Sequence, residues 1–241
     1  MPFTFCHPAI ILPLSKSKKL STSALIIGST APDFEYFLRM DMVRSHSHDF
    51  WAIFYFNLPL TIVLYLIFQA IVKVPLINNS PNFLYYRFNK YLKHKPILNS
   101  VNHFKWIVFS AIIGIFSHIL WDSFTHKEGF FEGYLPILLY DFTFLGKDYL
   151  VFQFLQTWCS ILGGLYIIYF VLKMPRTYKF RSNKLIQYWA LALGCSFLVI
   201  YLRHCATPQQ FIATSISSGF IGLIFSSSLS KMKILRIKNP S

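Results

Sequence analysis

Acidic side chains are scarce in this chain. Nine Asp and Glu stand among 241 residues, against 23 Lys and Arg, and charged residues of all kinds make up 13%, about half the share in an average soluble domain. An ordinary soluble domain is excluded by that shortage. Cysteine is equally sparse. Cys6, Cys159, Cys195 and Cys205 form no C-x-x-C pair, so no disulfide framework is legible and they read as small buried hydrophobes. Internal repeats and low-complexity tracts are missing too. The basic residues near the start, Lys16, Lys18 and Lys19, follow the first short apolar run. A cleaved signal would place them before it, so the N terminus is expected to be retained.

Hydrophobic residues fill what charge does not. They make up 54% of the chain, with 26 Phe, which predicts an all-α polytopic membrane protein forming one domain over residues 1–241. A crossing helix needs about 20 mostly apolar residues. Five stretches qualify: Trp51 to Val74, Trp106 to Phe124, Leu150 to Leu172, Tyr188 to Leu202 and Phe211 to Leu229. A sixth runs from Ser21 to Leu38, with Ser21 as N-cap and a kink at Pro32. Phe3 to Leu14 is too short to cross and is expected to dip in and return. The predicted architecture therefore has about six transmembrane helices and a short N-terminal re-entrant segment.

The formal charge of +14 would suggest nucleic acid in a soluble chain. Here the positive residues cluster between apolar runs, where the orientation signal and anionic headgroups account for them. No nucleic-acid partner is expected. Residues 73–105 hold six Lys and Arg without an acid, and 173–184 and the C-terminal tail are also basic. The loop from Thr125 to Tyr149 holds Glu128, Glu132, Asp141 and Asp148. Six crossings put every basic loop on one face, which makes both termini cytoplasmic. Residues 82–98 separate Phe83, Leu84, Phe88, Tyr91 and Leu92 from Arg87, Lys90 and Lys93, the pattern of a basic amphipathic helix on an anionic cytoplasmic leaflet.

The few acids keep company with histidine. Ser117-His118-Ile119-Leu120-Trp121-Asp122-Ser123-Phe124-Thr125-His126 closes one apolar run, Ala31-Pro32-Asp33-Phe34-Glu35 closes another, and Ser45-His46-Ser47-His48-Asp49 follows. A carboxylate at the centre of a bilayer costs about 3 kcal/mol or more, so such residues are rarely idle. His118, Asp122 and His126 are spaced i, i+4, i+8 and share one helical face. At a rise of about 1.5 Å per residue, His118 stands roughly 20 Å above Lys105, Asp33 roughly 18 Å above Ser21, and His7 roughly 14 Å from Lys16. His46 and His48 would cap the group. Histidine with carboxylate serves metal sites and proton relays alike, and the spacing leaves both open.

At these residues the chain resembles an uncharacterised bacterial multi-pass family, domain of unknown function 4184. The resemblance rests on Met1-Pro2-Phe3-Thr4-Phe5-Cys6-His7-Pro8-Ala9, Ala31-Pro32-Asp33-Phe34-Glu35-Tyr36 and the Ser117–His126 segment, and it covers most of the chain. The order of His, Pro-Asp, His and Ser-His-x-x-x-Asp is also similar, more distantly, to bacterial inner-membrane proteins described as metal-dependent hydrolases and to the soluble zinc-dependent phospholipase C family. That similarity implies a zinc-dependent hydrolase in a bacterial inner membrane. Its metal ligands would be drawn from His7, Asp33, His46 or His48, His118, Asp122 and His126. The phospholipases carry a further His-x-x-x-Glu pair and an N-terminal tryptophan, absent here, so the expectation is one or two ions. The expected substrate is a lipid-like molecule or phosphoester near the outer leaflet, with Glu35 or Asp49 as base. A proton-coupled transporter and a non-catalytic, metal-stabilised scaffold are the rival readings.

Overall fold

A computed structural model describes residues 3–43, 47–93, 101–126, 131, 134–179 and 185–238. The chain is mostly helical. Short helices α1 (Pro8–Ile11), α2 (Thr22–Gly28) and α3 (Phe34–Arg39) precede α4 (Leu58–Ile67), α5 (Lys73–Asn78) and α6 (Asn82–Phe88). The long helices are α7 (Val101–Thr125), α8 (Val151–Lys173), α9 (Leu185–Arg203) and α10 (Pro208–Lys238). Five segments are long and apolar enough to cross a membrane: Ile53–Asn78, Val101–Thr125, Val151–Lys173, Leu185–Arg203 and Pro208–Met232. These are the five longer runs read from the sequence. The first is not one regular helix, because π segments Ile53–Asn57 and Phe68–Val72 flank α4.

The chain separates into two compact units. The first comprises Met1–Asp33, His46–Ile62 and Asn99–Lys173. Its frame is the crossing of α2 on α7, which glycine makes close. A Cβ on Gly28 would lie 2.5 Å from the Ala111 carbonyl oxygen, and one on Gly114 would lie 2.4 Å from that of Leu25. Small residues that let backbones approach are how helices associate in lipid, where no hydrophobic force draws them together. Ser21 caps α2 through the Ala24 N–H, as its position predicts, and its own N–H donates to Ser110 Oγ on α7. Ala31, Ile53 and Ile115 form a small buried cluster beside this crossing.

Helix α2 ends where Pro32 dictates. A short 3-10 turn, Ala31–Asp33, replaces the α-helix there before α3 begins. Proline has no N–H to give the Ser29 carbonyl three residues back, and the Asp33 N–H turns to Thr30 O instead. The Ser29 carbonyl is therefore left open to a side chain.

An antiparallel hairpin, β1 (Asp141–Phe144) and β2 (Lys147–Leu150), adds strand to a chain predicted to be all helix. Leu145 and Gly146 both have positive φ, at 52° and 75°, the two-residue turn that suits strand twist. Phe142, Phe144 and Tyr149 pack around Phe154 of α8, which holds the hairpin on the helix end.

The second unit comprises Phe34–Ser45, Val63–Leu98 and Met174–Ser241. Here α9 and α10 cross at Gly222, whose Cβ would fall 2.3 Å from the Ala192 carbonyl oxygen. Tyr188 and Ser227 share a buried hydroxyl contact of 2.9 Å. The sequence pattern sets Arg87 on the charged side of an amphipathic helix. In the structure Arg87 is 2% exposed and donates to the Phe83 carbonyl, while Phe83 is 55% exposed. The helical segment is also divided, α-helix to Phe88 and 3-10 over Asn89–Lys93. Residues 94–98 lie outside the described ones.

Candidate metal centre

Four side chains meet in the first unit. Asp33, His48, His118 and Asp122 each offer one donor atom, and the four atoms lie within 4.8 Å of one another. His118 and Asp122 stand one turn apart on α7, just past the crossing at Gly114. Asp33 ends the 3-10 turn that Pro32 imposes. His48 comes from the loop before the first π segment. Asn57, at the end of that segment, donates to the Ser47 carbonyl at 2.7 Å and holds the loop in place.

Distances distinguish ligation from hydrogen bonding. His118 Nε2 is 3.6 Å from Asp33 Oδ1 and 3.3 Å from Asp122 Oδ2. His48 Nε2 is 3.7 Å from Asp33 Oδ1 and 3.3 Å from Asp122 Oδ2. Hydrogen bonds between such atoms run about 2.7–3.2 Å. Donors held about 2.0–2.1 Å from one tetrahedral ion would stand about 3.3 Å apart. The observed spacings match the edges of a coordination polyhedron and are long for direct bonds. His118 Nε2 and Asp122 Oδ1 are buried and make no hydrogen bond, which is costly unless something else engages them. Two adjacent buried carboxylates also need positive charge, and one divalent cation supplies it. The residues present therefore fit a metal ion.

Their outer partners aim them. His118 Nδ1 lies 2.8 Å from the Ser29 carbonyl, so the Nδ1–H donates there and the Nε2 lone pair faces the carboxylates. This is how ligating histidines are oriented. Thr4 Oγ1 donates to Asp33 Oδ2 at 2.6 Å and leaves Oδ1 for the site. Ser47 Oγ and His48 Nδ1 are 2.9 Å apart.

Two more predicted ligands sit on the far oxygen of Asp122. His7 Nε2 is 3.6 Å and His126 Nδ1 is 3.5 Å from Asp122 Oδ1. The His7 ring stacks on His118, with centroids 3.8 Å apart. His46 lies outside the described residues. Neither carboxylate expected to serve as base joins the cluster. Glu35 belongs to the second unit, where Arg39 reaches its Oε1 through Nη2 at 2.9 Å and Nε at 3.0 Å. Asp49 is exposed in the turn after His48.

Sequence reasoning missed Thr4 and the Ser29 carbonyl. Thr4 carried a signal, one 3-10 turn before His7. The carbonyl is signalled only indirectly, by the proline three residues on.

Comparison with known proteins adds a family. A model described as a domain of unknown function, DUF4184, matches residues 1–231, so the chain belongs to that family. No curated protein and no solved structure matches it.

Proposed function

We propose that this member of the DUF4184 family is a membrane-embedded, metal-dependent hydrolase of a lipid-like or phosphoester substrate, placed near the outer leaflet of a bacterial inner membrane. The reading is carried by the surplus of donors around Asp122. Asp33, His48, His118 and Asp122 alone would close a tetrahedral shell, as a purely structural site does. His7 and His126, on the other carboxylate oxygen, go beyond that need. With Asp122 Oδ1 they make a second group of three donors.

A divalent ion, zinc by preference for these nitrogen and oxygen donors, would supply Lewis acidity toward a phosphoryl or acyl oxygen and lower the pKa of a water. The chain's own residues do the rest. Asp33 and His118 are fixed in orientation by Thr4 and Ser29. Asp122 joins the two donor groups through its two oxygens. Asp49 is the carboxylate we assign as proton acceptor, because Glu35 is engaged by Arg39.

With metal bound, the purified protein is expected to hydrolyse bis(p-nitrophenyl) phosphate, to stop with chelator and to resume when zinc is returned. Asp49→Asn should lower that rate about 10²–10⁴-fold, the usual contribution of a general base, with bound metal unchanged. Loss of activity in Glu35→Gln but not in Asp49→Asn would move the role to Glu35. A metal-loaded protein with no activity on phosphoester or ester lipids would leave the scaffold reading in its place.

The proposed topology has six crossings, with Ser21 to Leu38 as the first and Phe3 to Leu14 re-entrant. Both termini are cytoplasmic, and the basic segment beginning at Asn82 contacts anionic lipid on that face. Support comes from the alternation of basic and acidic loops. Reporter fusions after Lys95, Lys184 and the C terminus should all read cytoplasmic, and a fusion at Glu132 should read outside. A cytoplasmic signal at Glu132 would reverse the site to the inner face.

A further inference from the structure

A partly open cavity of about 300 Å³ lies in the first unit, beside the metal centre. Ala9 and Ile10 of α1, Trp121 of α7, and Leu162, Gly163 and Tyr166 of α8 line it. His7 also lines it, and the same His7 stands 3.6 Å from Asp122. The cavity therefore has an apolar body and is bounded on one side by the His7 ring, whose nitrogens are buried on the side of the candidate site.

Its walls are fixed at both sides. Cys6 Sγ donates to the Ser160 carbonyl at 2.9 Å, and the Phe3 N–H donates to Ser160 Oγ at 3.1 Å. These bonds tie the N-terminal segment to α8. Gly163 allows the approach, since a Cβ there would already lie 3.2 Å from Cys6 Cβ. The medium outside the cavity is also indicated. The most apolar stretch of α8 is not buried against the rest of the chain, and Leu162, Ile161 and Leu165 are 59%, 47% and 57% exposed. A helix long and apolar enough to cross a membrane, exposed along that stretch, faces acyl chains. A methylene takes about the volume of a water molecule, roughly 30 Å³, so the cavity suits a run of about ten.

We infer that this cavity seats one acyl chain of a membrane phospholipid, with the headgroup end of the molecule directed to His7. The orienting role rests on the hydrolase reading, while occupation of the cavity does not. Chain and bilayer are equally apolar, so the seat adds no hydrophobic driving force. It supplies position, holding the polar end of the lipid beside the His7 ring.

The test uses phosphatidylglycerol carrying a diazirine in mid-chain, added to the full-length protein in mild detergent with zinc present. After illumination, adducts are mapped by peptide mass spectrometry and zinc is counted in the same sample. Adducts are expected on Trp121 above the level on Ile10, Ile161 and Leu165, which are 46%, 47% and 57% exposed. Ala9→Phe fills the cavity and should reduce the inner adducts at least tenfold, leaving zinc and the outer adducts unchanged. Leu162→Trp fills it from the exposed wall and should do the same, so the result does not depend on one variant folding. Adducts spread evenly around α8 and indifferent to both substitutions would overturn the inference. So would cross-linking of Cys159 between two copies with loss of the inner adducts, which would make a second chain the occupant. Inner adducts on protein that binds no zinc would uphold the seat and remove the hydrolase reading alone.

Discussion

His118→Ala is expected to strip most of the bound metal from the protein. Its Nε2 is fully buried, faces both carboxylates at 3.3–3.6 Å and has its tautomer fixed by Ser29. Asp33→Ala should have the same effect from a different segment of the chain. The double variant should lose little more than either alone, because donors to one ion act as a unit and their effects do not add. Thr4→Val removes only the hydroxyl that holds Asp33. It should weaken metal binding about 10–100-fold, as loss of an orienting partner does, and excess metal should restore it. A proton relay built from the same residues would behave otherwise. Wild type would then carry no stoichiometric metal, and the variants would show a pH-dependent transport defect.

Gly114→Ala should damage the site nearly as much, without touching a ligand. Its new Cβ would meet the Leu25 carbonyl oxygen at 2.4 Å and the Ser29 nitrogen at 2.8 Å. Both are backbone atoms, so α2 and α7 must separate. His118, one turn along α7, would then draw away from Ser29 and Asp33. Overpacking of this kind costs about 1–3 kcal/mol or more, and metal affinity should fall with it. Gly194→Ala is the matched comparison, since nothing lies within 4 Å of its Cβ. Helix propensity favours alanine at both positions by about 1 kcal/mol. Sterics should outweigh that only at Gly114. Metal content and thermal stability of the two variants separate the effects, and equal behaviour would mean that the crossing does not set the site.

Much of this site was legible in the sequence because its signals are local. His118 and Asp122 announce themselves by helical spacing, and Pro32 marks both the end of α2 and the turn that carries Asp33. The five long apolar runs follow from length and composition. What escaped depends on the path of the backbone. The segment after His7 reads as helix, but Leu12–Lys16 is 3-10, with about 2.0 Å rise per residue in place of 1.5 Å. It therefore reaches further, and His7 stacks on His118 where a slightly lower position was expected. The hairpin escaped because its turn is Leu145-Gly146, without the Asn-Gly or Asp-Gly that usually marks one. Arg87 fits the charged side of a helical wheel, yet its guanidinium bonds the Phe83 carbonyl one turn back. The pairing of Glu35 with Arg39 is an i, i+4 pattern visible in the sequence.

The central claim is that Asp33, His48, His118 and Asp122 hold a divalent metal ion. Elemental analysis of the wild-type protein, purified without chelator, tests it most directly. The expected result is at least one equivalent of metal per chain, zinc foremost. Protein that is metal-free, and stays so after zinc or manganese is added back, would contradict the account and favour an ion-coupled carrier.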